Sequence, residues 1–564
     1  MAPRFDSYAI TGDGELQEGP IWESVMFSAS KHLDNFCVLV DRNYGQLDLA
    51  NRMVFPMPDL SSVFCSFGWN AHDVDATDYD GVYTAIESFR FGPRNGKPTA
   101  IICHSTKGYG GLSDFLNKHK VTTNDQLIQQ EIELQRELRD RRVDDFNRLY
   151  RSIDPAECGD QIRQSLQAAA SRMHLRTEPN ADGGLELLQK IGPVLTRRAQ
   201  RRDKRIQYNT GALPAIDSSK EYAASDIVTA AMKVIARDPR VVSIDSDLGT
   251  TSGLEAGVAA VDQSRALNVG VAEANMSLIG EAFAALGYNT WVSTFCPFFD
   301  WKILRRTAVG HQERLEAIEA PDGWLSDGHG LDLTMLATAA NFETRTNGAT
   351  HMGNDDSLVF DAVAHLKIID VSCPQQMLSL MKWIMEGNRG LLYVRVMRTP
   401  SAVLYPGDYQ FQFGRGYILR QSADDRAVII SSGRGVHEAL GAALICAAAQ
   451  LPVRVVDMPS IDENLLLELY DWGKPLVIAE QNNGYIWQNF LKVLGRHGNR
   501  GIDPSRIIAV NTLDDNGRAR FIHSGTYEEL VDVFGLSAQK LAHRIMALAE
   551  SSGELVSSRS VGEA

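Results

Sequence analysis

The fold that the sequence predicts is α/β, three domains built on mostly parallel sheets, and three observations lead there. Short apolar runs rich in Val, Ile and Leu recur along the chain, as expected of strands buried on both faces. Stretches long enough to be helices separate them, the pattern of parallel strands joined by crossover helices. The runs fall into three groups divided by two breaks.

The first group holds SYAIT (7–11), FCVLVD (36–41) and TAIICHS (99–105). Residues 125–153 then read as a highly charged amphipathic helix, a solvated connector. It leads through a polar, glycine-bearing stretch to the basic run RRAQRRDKR (197–205). The second group is RVVSID (240–245), LTMLATA (333–339), KIIDV (367–371) and LLYVRV (391–396). The second break is YPGDYQFQFGRG (405–416), and AVIISS (427–432), VRVVDM (453–458) and PLVIAEQ (475–481) follow it. Domains are therefore expected over 1–205, 206–405 and 406–564. The strand SYAIT has almost nothing before it: a strand this early either begins a sheet or is the surviving middle of a longer domain.

Composition narrows the function. The chain has 564 residues, 44% of them hydrophobic and 23% charged, enough to bury large cores. A net charge of −15 argues against general binding to nucleic acid or to an anionic membrane. Seven cysteines stand at 37, 65, 103, 158, 296, 373 and 446, none in a CxxC pair, which reads as buried thiols in a reducing compartment. The N-terminus lacks the apolar core of a signal peptide, and no apolar run is long enough to span a bilayer. A cytoplasmic location is expected, with no membrane or nucleic-acid partner.

The chemistry begins at GDGELQEG (12–19). Ligands of open α/β sheets bind beyond the carboxyl ends of strands, and Asp13 stands there, after SYAIT. Gly12 and Gly14 are expected to let the backbone approach a ligand and to supply positive φ. Asn43 follows the next apolar strand in FCVLVDRNYG, so adjacent parallel strands would bring it beside Asp13. A carboxylate and an amide oxygen are hard ligands, suited to Mg²⁺ or Ca²⁺ completed by phosphate oxygens and water. The plainer alternative is two turn residues after strands.

Further along, LNVGVAEANMSLIGEAFAALGY (267–288) reads as strand, turn and amphipathic helix with Glu273 at the turn. An aromatic segment, WVSTFCPFFDW (291–301), follows it, and IDSDLG (244–249) precedes it after a strand. TNGATHMGNDD (346–356) puts His351 in a loop after LTMLATAANFE, and YVRVMRTPSAVLY (393–405) carries Arg398. In the first domain HSTKGYGGLSDFLNKHKV (104–121) is a glycine-rich loop leading to His119.

Together these segments resemble the transketolase family of thiamine diphosphate enzymes over nearly the whole chain. GDGELQEGPIWE with VDRNYGQLD is similar to its diphosphate–metal motif, and LNVGVAEANM to its motif of the form GVxExxM. The resemblance implies two thiamine diphosphate-binding-type domains, one for diphosphate and metal and one for the pyrimidine, plus a C-terminal domain of the family's kind. It implies that Asp13, Asn43 and the Gly45 carbonyl ligate Mg²⁺ (or Ca²⁺). Gly12, Asp13, Gly14, Asn43, Asp247, Leu248, Glu273, Phe295 and Phe298 then contact the cofactor. Glu273 acts as the catalytic acid against the cofactor's aminopyrimidine ring nitrogen, and Phe295 and Phe298 wall that ring. His351 and His119 take catalytic places at the substrate, His351 as the hydrogen-bonding partner of the donor sugar. Asn347 and Arg398 complete the substrate side, Arg398 as a phosphate anchor. Glu18 and Glu23 match acids at the dimer interface, so a homodimer with active sites at the interface is implied. GRGVHEA (433–439) in the third domain has the look of a phosphate loop, yet the family uses that domain chiefly for assembly, and His437 is expected to be structural.

The chain also departs from the family. The family's segment before the GDG strand does not occur in the sequence, so the resemblance implies an N-terminally incomplete first domain: either the sequence is truncated or a separate chain supplies the rest as a partner. No arginine occurs near YAASD (222–226), no histidine in ATAANFE (337–343), and Asn347 stands where an acid is usual. The expected function is transfer of a two-carbon ketol unit between sugars or sugar phosphates. Alternatives are the decarboxylating component of a pyruvate dehydrogenase and a non-catalytic or partner-dependent subunit.

Overall fold

The computed structural model describes residues 5–46, 55–118, 121–153, 158–172, 175–179, 185–189, 203–319, 328–344, 347–498 and 500–554. The chain divides into two compact units, Met1–Thr196 and Arg197–Ala564.

Unit 1 is built on a four-stranded, wholly parallel sheet of order β1-β2-β4-β3, comprising β1 (Ser7–Gly12), β2 (Phe36–Arg42), β3 (Asn70–Asp75) and β4 (Thr99–His104). Alternation along the central strands sends side chains to two cores. Val38, Val40, Ala100 and Ile102 pack with Val25 of helix Gly19–Ser30 and with Leu60 and Phe64 of helix Leu60–Ser66. Cys37 and Ile101 meet Ala85 and Phe89 of helix Tyr79–Phe91 on the other face. The apolar pattern misses β3, NAHDVD, because it is a sheet edge, four of its six residues are polar and none is buried. The predicted charged helix forms over Asp125–Ser152, capped by Asn124, whose side chain accepts from the Leu127 N–H at 2.8 Å. Its described side chains are largely exposed, Asn147 and Tyr150 excepted. A helix (Asp160–Arg172) and a hairpin of β5 (Leu175–Pro179) and β6 (Leu185–Gln189) follow.

Unit 2 holds two larger sheets. A short antiparallel pair joins β7 (Glu221–Tyr222) to β14 (Ser401–Ala402). Between them run β8 (Val241–Asp245), β9 (Ala266–Asn268), β10 (Asn289–Phe295), β11 (Leu333–Thr338), β12 (Leu366–Asp370) and β13 (Leu391–Val396). These six form a parallel sheet of order β12-β13-β11-β10-β8-β9. β10 hides in the sequence because NTWVSTF mixes Ser, Thr and Asn into a strand whose seven residues are all buried. Helix Glu273–Ala285 lies close on this sheet. A Cβ at its Gly280 would come within 2.5 Å of Val292 on β10, so the glycine sets that approach.

The second sheet comprises β15 (Tyr417–Arg420), β16 (Ala427–Ser431), β17 (Val453–Asp457), β18 (Leu476–Ala479) and β19 (Ile507–Val510). Its order is β15-β17-β16-β18-β19, parallel except for the antiparallel edge strand β15. Residues 421–426, with no helix, link β15 to β16, too short for a parallel crossover, and so β15 runs antiparallel. The fold is therefore α/β with mostly parallel sheets. Among the described residues no helix is long and apolar enough to cross a membrane. All seven cysteines are free thiols.

Candidate functional site

In unit 1 the β1–β2 register pairs Gly12 with Asp41, so Asp13 and the Arg42–Gly45 turn leave the sheet side by side. The Asp13 N–H donates to the Asp41 carbonyl at 3.1 Å. Asp13 is only 1% exposed, and its two oxygens differ. Oδ2 accepts the Tyr44 N–H at 2.8 Å and faces Nη1 of Arg42 at 3.5 Å. Oδ1 is buried and has no hydrogen-bond partner among the described residues. Asn43 donates from Nδ2 to Asp41 at 2.8 Å, and its Oδ1 accepts the Gly45 N–H at 3.0 Å. A Cβ at Gly45 would crowd that oxygen at 3.1 Å.

One expectation fails here. Gly14 has φ −67°, and neither it nor Gly12 is among the positive-φ residues. The left-handed conformation belongs to Tyr44, at φ 60°. The turn at Gly12 is closed instead by Glu15, whose Oε2 accepts the Gly12 N–H at 2.7 Å and the Thr11 hydroxyl at 2.9 Å.

Sequence reasoning overlooked what surrounds Tyr44. Its hydroxyl lies 2.7 Å from Nδ1 of His104, whose Nε2 lies 2.8 Å from Asp73. The Arg42 guanidinium sits over the Tyr44 ring, 4.8 Å from its centre. The available signal was polar residues ending β2, β3 and β4 at one sheet edge. Among the described residues no cluster of three or more His, Cys, Asp or Glu is placed to hold a metal. A metal here would rest on one carboxylate, one amide and a carbonyl. Glu18 is exposed at the N-cap of helix Gly19–Ser30, and Glu23 is half-buried within that helix. His119 lies outside the described residues.

In unit 2 the remaining candidates lie beyond the carboxyl ends of one parallel sheet. Chain order reverses across β8, with β9 on one side and β10 on the other, a crevice of the kind where such sheets bind ligands. Asp247 follows β8 in the left-handed region at φ 57°, exposed, with Leu248 half-buried beside it. The Asp247 N–H donates to Oδ1 of Asn268, the last residue of β9, at 3.3 Å. Ser246 ties this loop to the next: its Oγ donates to the Gly270 carbonyl at 2.8 Å and accepts the Ala272 N–H at 3.1 Å. Glu273 is the first residue of helix Glu273–Ala285 and is half-buried.

Phe295 ends β10, with Phe298 5.7 Å away edge to face. His351 packs edgewise on both, 5.8 Å from Phe295 and 5.1 Å from Phe298. Its Nδ1 lies 2.8 Å from the Thr350 hydroxyl. Three candidates far apart in sequence thus form one cluster. Asn347 and Arg398 are exposed, after β11 and β13 respectively.

The loop bearing Asn347 and His351 is held from beneath by Arg395, a residue the sequence reading passed over inside LLYVRV. Arg395 is 1% exposed and donates to Asp356, Asp370 and Asn341, each at 2.9 Å, and to the Gly353 carbonyl at 2.7 Å. Gly353 abuts Cys296, and any Cβ there would overlap the cysteine's. GRGVHEA packs onto the same network. A Cβ at Gly433 would lie 2.6 Å from Asp370, and Ser432 donates to Asp370 at 2.8 Å. His437 sits 2.8 Å from the Ser372 carbonyl, and burial lowers its pKa. Close packing between the two sheets accounts for that glycine without a phosphate.

Comparison with known proteins adds to this geometry. Residues 4–140 match the family model described as transketolase, thiamine diphosphate binding domain. Residues 220–401 match the model described as transketolase, pyrimidine binding domain. Human transketolase is 24% identical over 555 residues, 96% of this chain and 75% of that protein. Mouse transketolase-like protein 2 is 22% identical over 550 residues, 95% and 74% of the two chains. Among solved structures, the Campylobacter jejuni transketolase superposes with a TM-score of 0.67 at 18% identity, covering 96% of this chain and 77% of that one. The Pichia stipitis transketolase solved with sedoheptulose 7-phosphate gives 0.63 at 19% identity, covering 97% and 77%.

Proposed function

Because the chain belongs to the transketolase family of thiamine diphosphate-dependent proteins, we propose that it transfers a two-carbon ketol unit from a ketose to an aldose. The observation that carries the proposal is Asp13: a buried carboxylate with one oxygen held by the Tyr44 N–H and the other unpartnered. An unpaired buried carboxylate oxygen costs stability. A hard cation beside Asn43 and the Gly45 carbonyl would satisfy it, and Mg²⁺ is such a cation. The residues present therefore fit the metal and its diphosphate.

When bound, thiamine diphosphate supplies the carbon nucleophile and the electron sink. The chain's own residues do the rest. Asp13, Asn43 and Gly45 hold the metal, and Gly12 and Gly14 border it. Glu273 holds a proton against the aminopyrimidine ring nitrogen. Phe295 and Phe298 present apolar ring faces, with Asp247 and Leu248 alongside. His351, braced by both phenylalanines, directs a hydrogen bond to the oxygen of the reacting sugar carbonyl, and Asn347 and Arg398 face the rest of the sugar. His119 is a further candidate at the substrate. Arg398 suits a phosphorylated sugar, and the Pichia relative was solved with one. The active form is proposed as a homodimer whose interface includes Glu18 and Glu23. A cytoplasmic location is proposed from the seven free thiols. By the same resemblance, residues 1–205, 206–405 and 406–564 are assigned as diphosphate–metal, pyrimidine and C-terminal domains.

The test is calorimetry of thiamine diphosphate with Mg²⁺ on the full chain, followed by ketol transfer between sugar phosphates assayed beside pyruvate decarboxylation. Saturable cofactor binding and ketol transfer are expected. Decarboxylation without transfer would sink the ketolase assignment, and no cofactor uptake would leave a non-catalytic subunit.

A further inference from the structure

Two unsatisfied atoms of opposite kind lie side by side in unit 1. Among the described residues Asp13 Oδ1 is a buried acceptor without a donor, and Arg42 Nη1 is a buried donor without a hydrogen-bonded acceptor. Arg42 is 9% exposed, and its Nη1 stands 3.5 Å from Asp13 Oδ2, beyond a good charge-assisted hydrogen bond. The guanidinium is held there by stacking on Tyr44. Tyr44 is in turn pinned by its N–H to Asp13 and its hydroxyl to His104, which Asp73 orients.

A buried guanidinium N–H left unpaired is costly, and so is a buried carboxylate oxygen. One orphan calls for a cation and its neighbour for an anion. A water bridging the two, donating to Oδ1 and accepting from Nη1, satisfies their hydrogen bonds, but a metal-bound phosphate also matches their charges. The cation meets Oδ1, and a phosphate oxygen accepts from Nη1.

We infer that Arg42 is a diphosphate-binding residue, a resident cation that works with the metal on the same anion. This rests on the thiamine diphosphate reading given above. Two consequences follow. Arg42 repels a metal that arrives alone, because two cations then share one carboxylate. It favours the metal arriving with diphosphate, so each ligand strengthens the other's binding by the same factor.

The test is calorimetry on the full chain with MgCl₂ alone, and with thiamine diphosphate at saturating Mg²⁺, for wild type, Arg42→Gln and Arg42→Lys. Arg42→Gln is expected to weaken thiamine diphosphate by about tenfold or more, while Mg²⁺ alone binds as well as to wild type or better. Arg42→Lys is expected to fall between, since a point charge replaces a planar fork. An unchanged cofactor Kd in Arg42→Gln overturns the inference. So does parallel loss of Mg²⁺ alone and of cofactor, which would make Arg42 a prop for the Asp13 turn. If Arg42→Gln does not fold, Arg42→Lys decides, and wild-type affinity there overturns the inference. Wild-type protein that takes up no thiamine diphosphate at any Mg²⁺ concentration overturns the underlying functional reading as well, and is seen before any variant is made.

Discussion

Arg395 and Glu273 show how differently single residues can be read. Arg395 sits in the middle of an apolar strand and has four buried acceptors in reach. Arg395→Met would strand the buried carboxylates of Asp356 and Asp370. Removing one partner of a buried ion pair costs about 3–5 kcal/mol, and urea unfolding of the variant should show a loss of that size. Restoration to wild-type stability by added salt would refute it, because surface pairs are screened and this one is not. Glu273 is half-buried at the first position of its helix. Glu273→Gln is expected to keep the wild-type melting temperature and cofactor uptake while ketol transfer falls about 10²- to 10⁴-fold. Full activity in that variant would remove Glu273 from the chemistry. Asp13 and Asn43 were legible because acid and amide side chains directly after apolar strands must lie at the strands' carboxyl ends. Arg42, His104 and Arg395 were not, since a charge at a strand end or inside one reads as solvated until its neighbours are known.

Loops and strands carry the next level of argument. The segment from Ala339 to Gly353 contains Asn341 at φ 60°, which asparagine tolerates, and Ala339 at φ 56°, a conformation that alanine adopts only under constraint. The constraint is Arg395 on Asn341 and the Gly353 carbonyl, with Cys296 behind. Gly353→Ala should force this loop off Cys296 at a cost of about 1–3 kcal/mol. It should also raise the sugar KM more than it lowers cofactor affinity, since His351 rides on the loop. Equal KM and melting temperature would show that the loop has room. Continuous apolar strands such as Ala427–Ser431 were readable directly. Strand Asn289–Phe295 was not, because its buried Thr, Ser and Asn residues break the apolar pattern in the middle of the sheet.

At the level of the whole molecule, unit 2 carries three buried carboxyls whose pKa burial pushes up to about 7: Asp245, Asp457 and Glu480. The unfolded chain releases these protons near pH ~4. Between those values the folded state holds more protons than the unfolded state. Their contribution is therefore present near pH 4 and lost as pH rises through 7. His311 acts oppositely. Burial lowers it to about 4, so its contribution is present above its unfolded value near ~6.5 and lost as pH falls through 4. The decline between pH 5 and pH 8 in urea-unfolding stability should thus shrink in Asp457→Asn relative to wild type. An identical decline would mean that Asp457 is ionised throughout. The proposed homodimer has its own check, since sedimentation of the active protein should give twice the chain mass, and an active monomer would refute it.

The sequence by itself determined the α/β class, the strands with continuous apolar runs and the residue types at their carboxyl ends, because hydrophobic run length and turn chemistry are local properties. Only the tertiary structure decided that β15 pairs antiparallel, that His351 joins Phe295 and Phe298, that Arg395 is buried, and that GDGELQEG turns without positive φ while Tyr44 supplies it. Each of those depends on which distant residue fills the neighbouring space. Burial, ion pairing and backbone strain are properties of that neighbourhood, and no spacing along the chain encodes them.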